Sequence, residues 1–382
     1  QALTVFFQNR RRDRGYQALS RGLIAASSGD ADEARRLARE SGKLLGNEPL
    51  VGLLNAQAAL LEGRREDARI GFQAMLGEDN TKLVALRGLF LEAERQGEAE
   101  AARHYAVEAA RLAPSLPWAS GAKLKYLATD GDWEGALTAL EANRAAGLID
   151  KEKAKRQRAV LLTAMAIEEE PADPDEAMKH AREAHKLAKD LAPAAVIFAR
   201  AASRTGDIRG ATKVIETTWK QQPHPELGEA YVHVRSGDSV LDRLKRARKL
   251  ADIRANHPEG AMLVTAAAID AKDWELARNE LEPVLTTHPS ERACLLMADI
   301  EEGEHGDKGA MHVWLSRAVR APADPAWTAD GRVSETWLPV SPVTGEIDAF
   351  EWKVPVEQMG GQPLVISAED LVLEAAGSES DP

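Results

Sequence analysis

Two small residues recur along this chain at a fixed interval. A glycine is followed five residues later by an alanine, and the first four copies begin 34 residues apart. After Gly131 the copies begin at intervals of 41, 34, 31, 35 and 34 residues, which gives about nine units. Such a chain stacks similar units instead of folding around one central core. The copies are Gly29 with Ala34, Gly63 with Ala68, Gly97 with Ala102, Gly131 with Ala136, Ala172 with Ala177, Gly206 with Ala211, Gly237 alone, Lys272 with Ala277, and Gly306 with Ala310.

Each unit is predicted to be a helix, a tight turn and a second helix. Glycine suits the turn because it adopts a positive φ without steric cost. Aspartate often follows it, as at Asp30, Asp207 and Asp238, and can cap the second helix. The alanine suits the point where the two helices cross, since a larger side chain would push them apart. A 34-residue step is typical of tetratricopeptide repeats, so we predict an all-α superhelical solenoid of about nine helix pairs.

The composition supports a helical chain and limits its partners. Ala, Leu, Glu and Arg dominate its 382 residues, and aromatic residues make up only 5%, which argues against a large sheet. The net charge of −12 would repel phosphate backbones, so we expect no nucleic-acid partner.

The pattern predicts six regions. Residues 148–174 break the repeat register by seven residues, and we interpret them as a longer helix pair or a loop between units. We expect a juxtamembrane basic stub at 1–15, N-terminal repeats at 16–147, this irregular linker at 148–174, C-terminal repeats at 175–320, a Trp- and Pro-rich capping segment at 321–368, and a disordered acidic tail at 369–382.

The first fifteen residues combine an apolar stretch, Leu3–Phe7, with a cluster of arginines. The chain begins with Gln1 rather than Met, and two interpretations stay open. The stretch is either the end of a membrane anchor with its basic flank or the ordinary start of a helix. The membrane-proximal basic residues of the first interpretation are Arg10, Arg11, Arg12 and Arg14.

The segment 333–355 has the short apolar runs and turn residues of strands rather than helices, so we expect an irregular or β-hairpin-like end. Within it, the stretch 341–345 has the shape of a zinc knuckle in which Ser341 and Thr344 replace both cysteines. Because hydroxyls are weak zinc ligands, we expect no metal there. The aromatic residues of this segment are predicted to cap the open end of the solenoid.

The sequence offers no recognisable catalytic centre. It contains no phosphate loop, dinucleotide fingerprint, nucleophile elbow or His-Glu-x-x-His motif. Its single cysteine, Cys294, lies among apolar residues, as a core residue would. His104 beside Tyr105 is either an axial haem ligand or an ordinary surface or groove residue. We expect a protein that is not an enzyme and has no cofactor, with haem binding as the alternative.

Both ends of the chain resemble the HemY proteins of alphaproteobacteria. The opening Asn-Arg-Arg-Arg-Asp-Arg-Gly-Tyr-Gln-Ala-Leu-Ser at 9–20 is similar to the stretch that follows their membrane anchor. Three later stretches resemble their C-terminal signature: Ala-Asp-Pro-Ala-Trp-Thr-Ala-Asp-Gly at 323–331, Trp-Leu-Pro-Val-Ser-Pro-Val-Thr-Gly at 337–345 and Phe-Glu-Trp at 350–352. With the repeats between them, the resemblance covers almost the whole chain.

The resemblance implies an inner-membrane protein with N-terminal transmembrane helices, absent from this sequence, and a tetratricopeptide domain. It implies a link to tetrapyrrole biosynthesis and to mitofilin-like membrane-shaping proteins, and it assigns no catalytic residues. The flavin-dependent protoporphyrinogen oxidase that shares the name needs a dinucleotide fold, which this sequence lacks.

We therefore expect a membrane-anchored scaffold at the bacterial inner membrane that binds protein partners in a concave groove. Haem-synthesis enzymes or mitofilin-like proteins are the partners that the resemblance implies. Positive residues beside a membrane helix stay on the cytoplasmic side, so we expect the repeats in the cytoplasm, with the periplasm as the alternative. A tetrapyrrole-binding or delivery protein is the second function considered, and an enzyme is the third.

Overall fold

The structure of this protein, a computed structural model, describes residues 2–46, 48–355 and 364–366. These residues form eighteen helices followed by four short strands, so the predicted all-α repeat fold with a hairpin-like end is confirmed. The chain divides into two compact units, Gln1–Tyr126 and Leu127–Pro382, whose boundary lies inside the seventh helix. The predicted acidic tail at 369–382 lies outside the described residues.

The helices follow one another as nine helix–turn–helix segments. They are α1 (Ala2–Ser28) and α2 (Ala31–Leu45), α3 (Pro49–Leu61) and α4 (Arg65–Met75), α5 (Asp79–Gln96) and α6 (Ala99–Leu112), α7 (Pro117–Thr129) and α8 (Trp133–Ala145), α9 (Lys151–Glu169) and α10 (Pro174–Leu187), α11 (Ala192–Arg204) and α12 (Ile208–Gln221), α13 (Pro225–Val232) and α14 (Val240–Ile253), α15 (Pro258–Asp270) and α16 (Trp274–Thr287), and α17 (Glu291–His305) and α18 (Lys308–Ala318).

The repeat glycines stand in the turn between the two helices of a segment. An added Cβ at Gly97 or Gly206 would meet no atom within 4 Å, so the left-handed backbone, and not a lack of space, favours glycine there. The φ angles are 80° at Gly29, 73° at Gly63, 74° at Gly97, 75° at Gly131, 83° at Gly206 and 64° at Gly306.

Seven of the eight alanines of the repeat are completely buried, and Ala310 of the last copy is half-buried. Each lies in the first turns of the second helix of its segment, so its small side chain lets that helix approach its neighbours closely. The residues with no exposed surface are Ala34, Ala68, Ala102, Ala136, Ala177, Ala211 and Ala277.

Hydrogen bonds between successive segments repeat the spacing of the sequence. The Tyr16 hydroxyl donates to Glu48, 32 residues later, at 3.0 Å. Lys249 donates to Glu216, 33 residues earlier, at 2.9 Å. Bonds of this span join equivalent positions of neighbouring segments, which is what stacking in a fixed register requires.

Aspartate caps most of the second helices. The Asp30 and Asp207 carboxylates accept backbone N–H groups from the first turn of α2 and α12. The expectation for Asp238 was wrong, because Ser239 caps α14 through a capping box with Asp242. Asp238 instead accepts a hydrogen bond from Arg246 at 2.8 Å.

Two predicted boundaries fall inside helices. The stub at 1–15 is continuous with α1, which runs from Ala2 to Ser28. The irregular linker at 148–174 contains α9, a 19-residue helix that opens the fifth segment. Of the two interpretations of this stretch, the longer helix pair describes it, because the extra residues lengthen α9 instead of forming a loop.

The four strands form one small sheet after the last helix. They are β1 (Ala326–Ala329), β2 (Arg332–Ser334), β3 (Glu351–Lys353) and β4 (Leu364–Ile366), in the spatial order β3-β1-β2-β4. β1 pairs antiparallel with β2 and β3, and β2 pairs parallel with β4. Asp330 and Gly331 connect β1 to β2 with φ angles of 49° and 75°, the backbone that a tight two-residue hairpin requires.

The segment 321–355, here named the strap, does not cap the end of the repeats as predicted. It runs back along the turns between segments. The backbone N–H of Glu291 at the start of α17 donates to the carbonyl of Pro322 at 3.3 Å. Arg156 of α9 donates to Asp348 at 2.8 Å. The strap thus reaches from the ninth segment to the fifth, because two tryptophans and one aspartate find buried partners there.

Candidate functional site

Two adjacent clefts follow the first helices of the last four segments. The larger, of about 420 Å³, is lined mainly by α13, α15 and α17. The second, of about 400 Å³, is lined by α11 and α13. Glu229 and His233 line both, so the clefts join. These two clefts together are named the groove.

A buried ion pair stands in the wall of the larger cleft. Arg292 of α17 donates two hydrogen bonds to Glu259 of α15, at 2.9 and 3.0 Å. The side chain of Glu259 is only 7% exposed. Burial acts to lower the pKa of Arg292, but the bonds to Glu259 outweigh it and raise that pKa. This two-pronged contact fixes the spacing of α15 and α17.

The rest of the larger cleft is mostly apolar. Val232 and Met262 are buried, and Leu263 is half-buried. Leu295 is 38% exposed, which is high for a leucine on the inner side of a repeat. An apolar floor with exposed leucine is suited to binding apolar side chains of a partner.

The second cleft is polar. Arg200 donates to Glu170 at 2.9 Å, and Arg204 lies 3.5 Å from the same carboxylate. Burial raises the pKa of the Glu226 carboxyl, which the nearby Arg200 opposes and Glu229 reinforces. The groove therefore changes along its length, from arginine-lined at α11 to apolar at α17.

The strap is anchored beside the groove by an aromatic cluster. His224, just before α13, lies 4.1 Å from Trp352 and 5.2 Å from Trp327, measured between ring centroids. Burial, and then the charge of Arg292, lowers the pKa of His224 to about 3, so its ring is neutral at pH 7. This neutral ring stacks with both indoles and holds β1 and β3 against the turn that precedes α13.

The knuckle-like stretch is held by a carboxylate. The hydroxyls of Ser341 and Thr344 both donate to Asp330, at 2.5 and 2.7 Å. Backbone N–H groups of Val343 and Thr344 donate to the Ser341 hydroxyl. Where a knuckle would place a cation between thiolates, this chain places an anion between hydroxyls. The two hydroxyls and the carboxylate bond to one another, and this set of groups does not suit zinc.

The basic residues of α1 are exposed. Arg11 donates to the backbone carbonyl of Lys43 at 2.8 Å, and Arg12 lies over the ring of Tyr16 at 5.6 Å. Arg10 and Arg14 are also exposed. In the described part of the chain, the structure contains no helix long and apolar enough to cross a membrane.

The remaining candidates from the sequence lie apart. His104 is exposed, with its ring 5.6 Å from that of Tyr105, and no second histidine or cysteine accompanies it in the contacts described. Cys294 is buried in α17. Within residues 2–46, 48–355 and 364–366, no three His, Cys, Asp or Glu side chains are grouped closely enough to hold a metal.

Sequence reasoning did not identify the groove residues or the strap contacts. The glycines and alanines found from the repeat lie in turns and crossings, away from the clefts. One signal was present: the Arg292–Glu259 pair spans 33 residues, the step of the stack. A second signal marks His224, since the triplet His-Pro-Glu at 224–226 recurs at 257–259. No comparable regularity marks Asp348, because the strap crosses the segments only once.

The comparisons with known proteins agree with the resemblance at the N-terminus and give one relative along most of the chain. The family described as "HemY protein N-terminus" matches residues 1–63. The "Probable magnetosome protein Mms48" of Magnetospirillum gryphiswaldense is 30% identical over 360 residues, which are 90% of this chain and 76% of that protein.

Solved structures resemble the chain distantly. Naa15/Naa10 bound to HypK-THB is 13% identical, with a TM-score of 0.45 over 84% of this chain, and the match spans 54% of that one. The TPR domain of P58(IPK) is 16% identical, with a TM-score of 0.25 over 80% of this chain and 98% of that one. The family match at the N-terminus and the relative aligned along most of its length lead to one conclusion: this chain is a helical-repeat protein that belongs to the HemY family.

Proposed function

We propose that this protein is a non-catalytic, membrane-associated scaffold that binds a segment of a partner protein in the groove. The observation that carries the proposal is the continuity of the two clefts along four successive first helices, from α11 to α17. A surface of that kind follows a bound chain over many residues, which suits peptide or helix recognition better than the enclosure of a small substrate.

The chemistry of the groove supports binding rather than catalysis. Two charged pairs of the groove, Arg292 with Glu259 and Arg200 with Glu170, tie neighbouring helices together. Such pairs hold helices in place, whereas general acid–base catalysis needs a titratable group that faces the substrate with a suitable pKa.

The family supports a position at the bacterial inner membrane. The exposed arginines of α1 favour the cytoplasmic side and attract anionic lipid at about 1 kcal/mol per charge near the surface. The relative from Magnetospirillum gryphiswaldense is described as a probable magnetosome protein, and the resemblance adds haem-synthesis enzymes or mitofilin-like proteins as partner classes. We propose the six regions predicted from the sequence as the domain organisation, with the strap in place of a capping segment and with the boundary at residue 15 lying inside α1.

Site-specific crosslinking in cells tests the proposal. A photoreactive amino acid replaces Leu295, which is 38% exposed in the groove, and in a matched strain replaces Leu241, which is 57% exposed on α14 outside it. We expect discrete protein adducts from position 295 that disappear when Ala266 in the cleft is changed to Trp. Equal adducts from position 241, or adducts that survive Ala266→Trp, contradict the proposal.

A haemin titration of the purified chain tests the second function. A shifted Soret band with a stoichiometry of one, lost in Ala266→Trp, would replace the scaffold with a tetrapyrrole-binding protein. We expect no shifted band at equimolar haemin.

A reporter fused after Pro382 decides on which side of the membrane the repeats lie. If they lie in the cytoplasm, a fluorescent-protein fusion should be bright and an alkaline-phosphatase fusion inactive.

A further inference from the structure

Three acidic side chains at the larger cleft have no cationic partner. Glu229 lies on α13, Asp270 on α15 and Asp299 on α17, so each of three successive first helices contributes one carboxylate. None of them forms an ion pair with another residue in the described part of the chain. The Glu259 carboxylate in the same wall differs, because Arg292 neutralises it. The lining also contains Arg243, so four carboxylates face two guanidinium groups and the cleft keeps an excess of two negative charges beside its apolar floor.

The floor between these carboxylates is apolar and partly exposed. Met262 and Leu263 come from α15 and Leu295 from α17. The volume of about 420 Å³ is that of a few large side chains, not of a folded partner. An occupant that fits must therefore insert side chains from a surface that continues outside the cleft. One face of an amphipathic helix does this with residues three and four positions apart.

A fully buried donor lines the same cleft without a partner. Trp219 of α12 has no exposed surface, and its indole Nε1 finds no hydrogen-bond acceptor among the described residues. The Nε of Arg243, another lining residue, is also buried without an acceptor. Neither atom has accessible surface, so an occupant that brings oxygen acceptors reaches them only after the wall of the cleft shifts. An unpaired buried N–H costs about 1–3 kcal/mol, and pairing it favours that shift.

The combination selects one class of occupant. An amphipathic helix brings apolar side chains for the floor and side-chain oxygens as acceptors, since its backbone carbonyls are bonded within the helix. Lysine or arginine on its flanks neutralises the three carboxylates. An acidic peptide or a dicarboxylic ligand would meet those carboxylates as like charges, which is destabilising. We infer that the partner segment of the groove, on the function proposed above, is a basic amphipathic helix whose apolar residues enter between α13, α15 and α17.

The acid–base properties of the cleft give this binding a pH dependence. Burial, and then the charge of Glu302, raises the pKa of Asp299 above its ordinary value of 3.8. A cation bound beside it lowers that pKa again, so binding favours the ionised form. Affinity is therefore complete near pH 7 and is lost as the pH falls through the raised pKa of the free protein.

The test uses two synthetic helical peptides and the full chain. The first places Leu at helical spacing with Lys on the flanks, and the second has Glu in place of every Lys. We expect the basic peptide to bind with one site per chain in calorimetry, and the acidic peptide to bind at least tenfold more weakly. Binding of the basic peptide should weaken as salt is raised, because the charges lie near the surface.

Two matched variants locate the site. Glu229→Gln, Asp270→Asn and Asp299→Asn combined should weaken the basic peptide by about tenfold, because all three carboxylates are exposed and each exposed pair contributes little. The control combines Asp252→Asn, Glu275→Gln and Glu282→Gln, which remove the same charge from exposed positions of α14 and α16 and should leave affinity unchanged. Equal losses in both variants would mean that net charge alone drives binding and would overturn the inference.

The indole resonance of Trp219 gives a reporter at the cleft. In a nitrogen-15 spectrum it should move when the basic peptide is added, whereas that of Trp133, which donates to Glu168, should stay in place. A peptide that binds without moving the Trp219 signal lies elsewhere, and this assignment of the cleft is then wrong. If the basic peptide fails to bind while groove crosslinks at position 295 persist, the scaffold stands and only the partner class falls.

Discussion

The two compact units share one repeat but differ in what is added to it. In Gln1–Tyr126, arginines pair within one helix, as Arg36 does with Glu33, and with the neighbouring segment, as Arg35 does with Glu62. In Leu127–Pro382, Arg156 bonds to Asp190 of the next segment and to Asp348 of the strap, 192 residues away. Pairs within a helix and pairs between neighbouring segments occur in both units, and the strap of the second unit adds a contact that spans several segments.

The buried clusters show the same difference. Around Phe72, seven buried residues from α3, α4 and α5 form a small core. Around Trp219, seventeen buried residues join α9 to α14 in one cluster. A repeat supplies a local core to each segment, and the large side chains of the second unit merge these cores. We infer that the repeat sets the fold of both units and that the strap and merged core raise the stability of the second.

Removing the anchor of the strap should have the largest effect. Trp327 is 4% exposed and contacts His224 and Trp352, so Trp327→Ala should cost about 3–5 kcal/mol in the free energy of unfolding of the second unit. Hydrogen exchange resolved by segment should show lost protection in α9 to α14 and none in α1 to α4.

The control for this change lies in the same strap. Val343 is 52% exposed, and Val343→Ala should change stability by less than about 0.5 kcal/mol. Equal loss of protection in α1 to α4 would show that the strap does not distinguish the units.

The contacts of the strap could not be predicted from the sequence, unlike those within a segment. The turn glycines and the buried alanines follow from the period, because each depends on residues within one segment. The contact of Asp348 with Arg156 depends on where a 35-residue segment lands after leaving the last helix, and the sequence carries no periodic signal for that. The expectation of an end cap was wrong for this reason, and the groove carboxylates were missed because exposed acids are common throughout the chain.

Acid should weaken the second unit through His224. Its pKa is about 3 in the folded protein against 6.5 when unfolded, so the unfolded chain binds the proton more readily. The stability that this neutral ring contributes is complete above pH 6.5 and falls as the pH drops towards 3. The loss from this group at pH 5 is about 2 kcal/mol.

The variant His224→Phe isolates that contribution, since phenylalanine keeps a ring against Trp327 and Trp352 and cannot be protonated. Urea unfolding at pH 7 and pH 5 should show a smaller loss in the variant by about 2 kcal/mol. Asp348 and Glu226, whose pKa values burial raises, act in the opposite direction and are present in both proteins. Identical pH dependence in the two proteins would show that His224 is not the titrating group.

Overpacking the helix crossings should affect both units alike. Ala34→Leu in the first unit and Ala136→Leu in the second each place three further carbons at a site with no exposed surface, at a cost of about 1–3 kcal/mol. Ala142→Leu, at an exposed position of α8, is the control and should change little. A melting temperature unchanged by Ala136→Leu would count against the repeat register.

The smallest expected effect concerns the turn within a segment, where a lysine of the second unit and a glycine of the first can be exchanged. Lys272 occupies the position that glycine holds at Gly97, with φ of 58° against 74°. Because an L-residue in this conformation costs about 1–2 kcal/mol, Lys272→Gly should stabilise the second unit by about 1 kcal/mol, and Gly97→Lys should destabilise the first by a similar amount. Lys272→Ala removes the side chain but keeps the strained backbone, so it should give no gain. If Lys272→Ala stabilised as much as Lys272→Gly in urea unfolding, the lysine side chain and not the φ angle would be the cause. The preference for glycine at this turn position would then depend on side-chain chemistry in the second unit and on backbone conformation in the first.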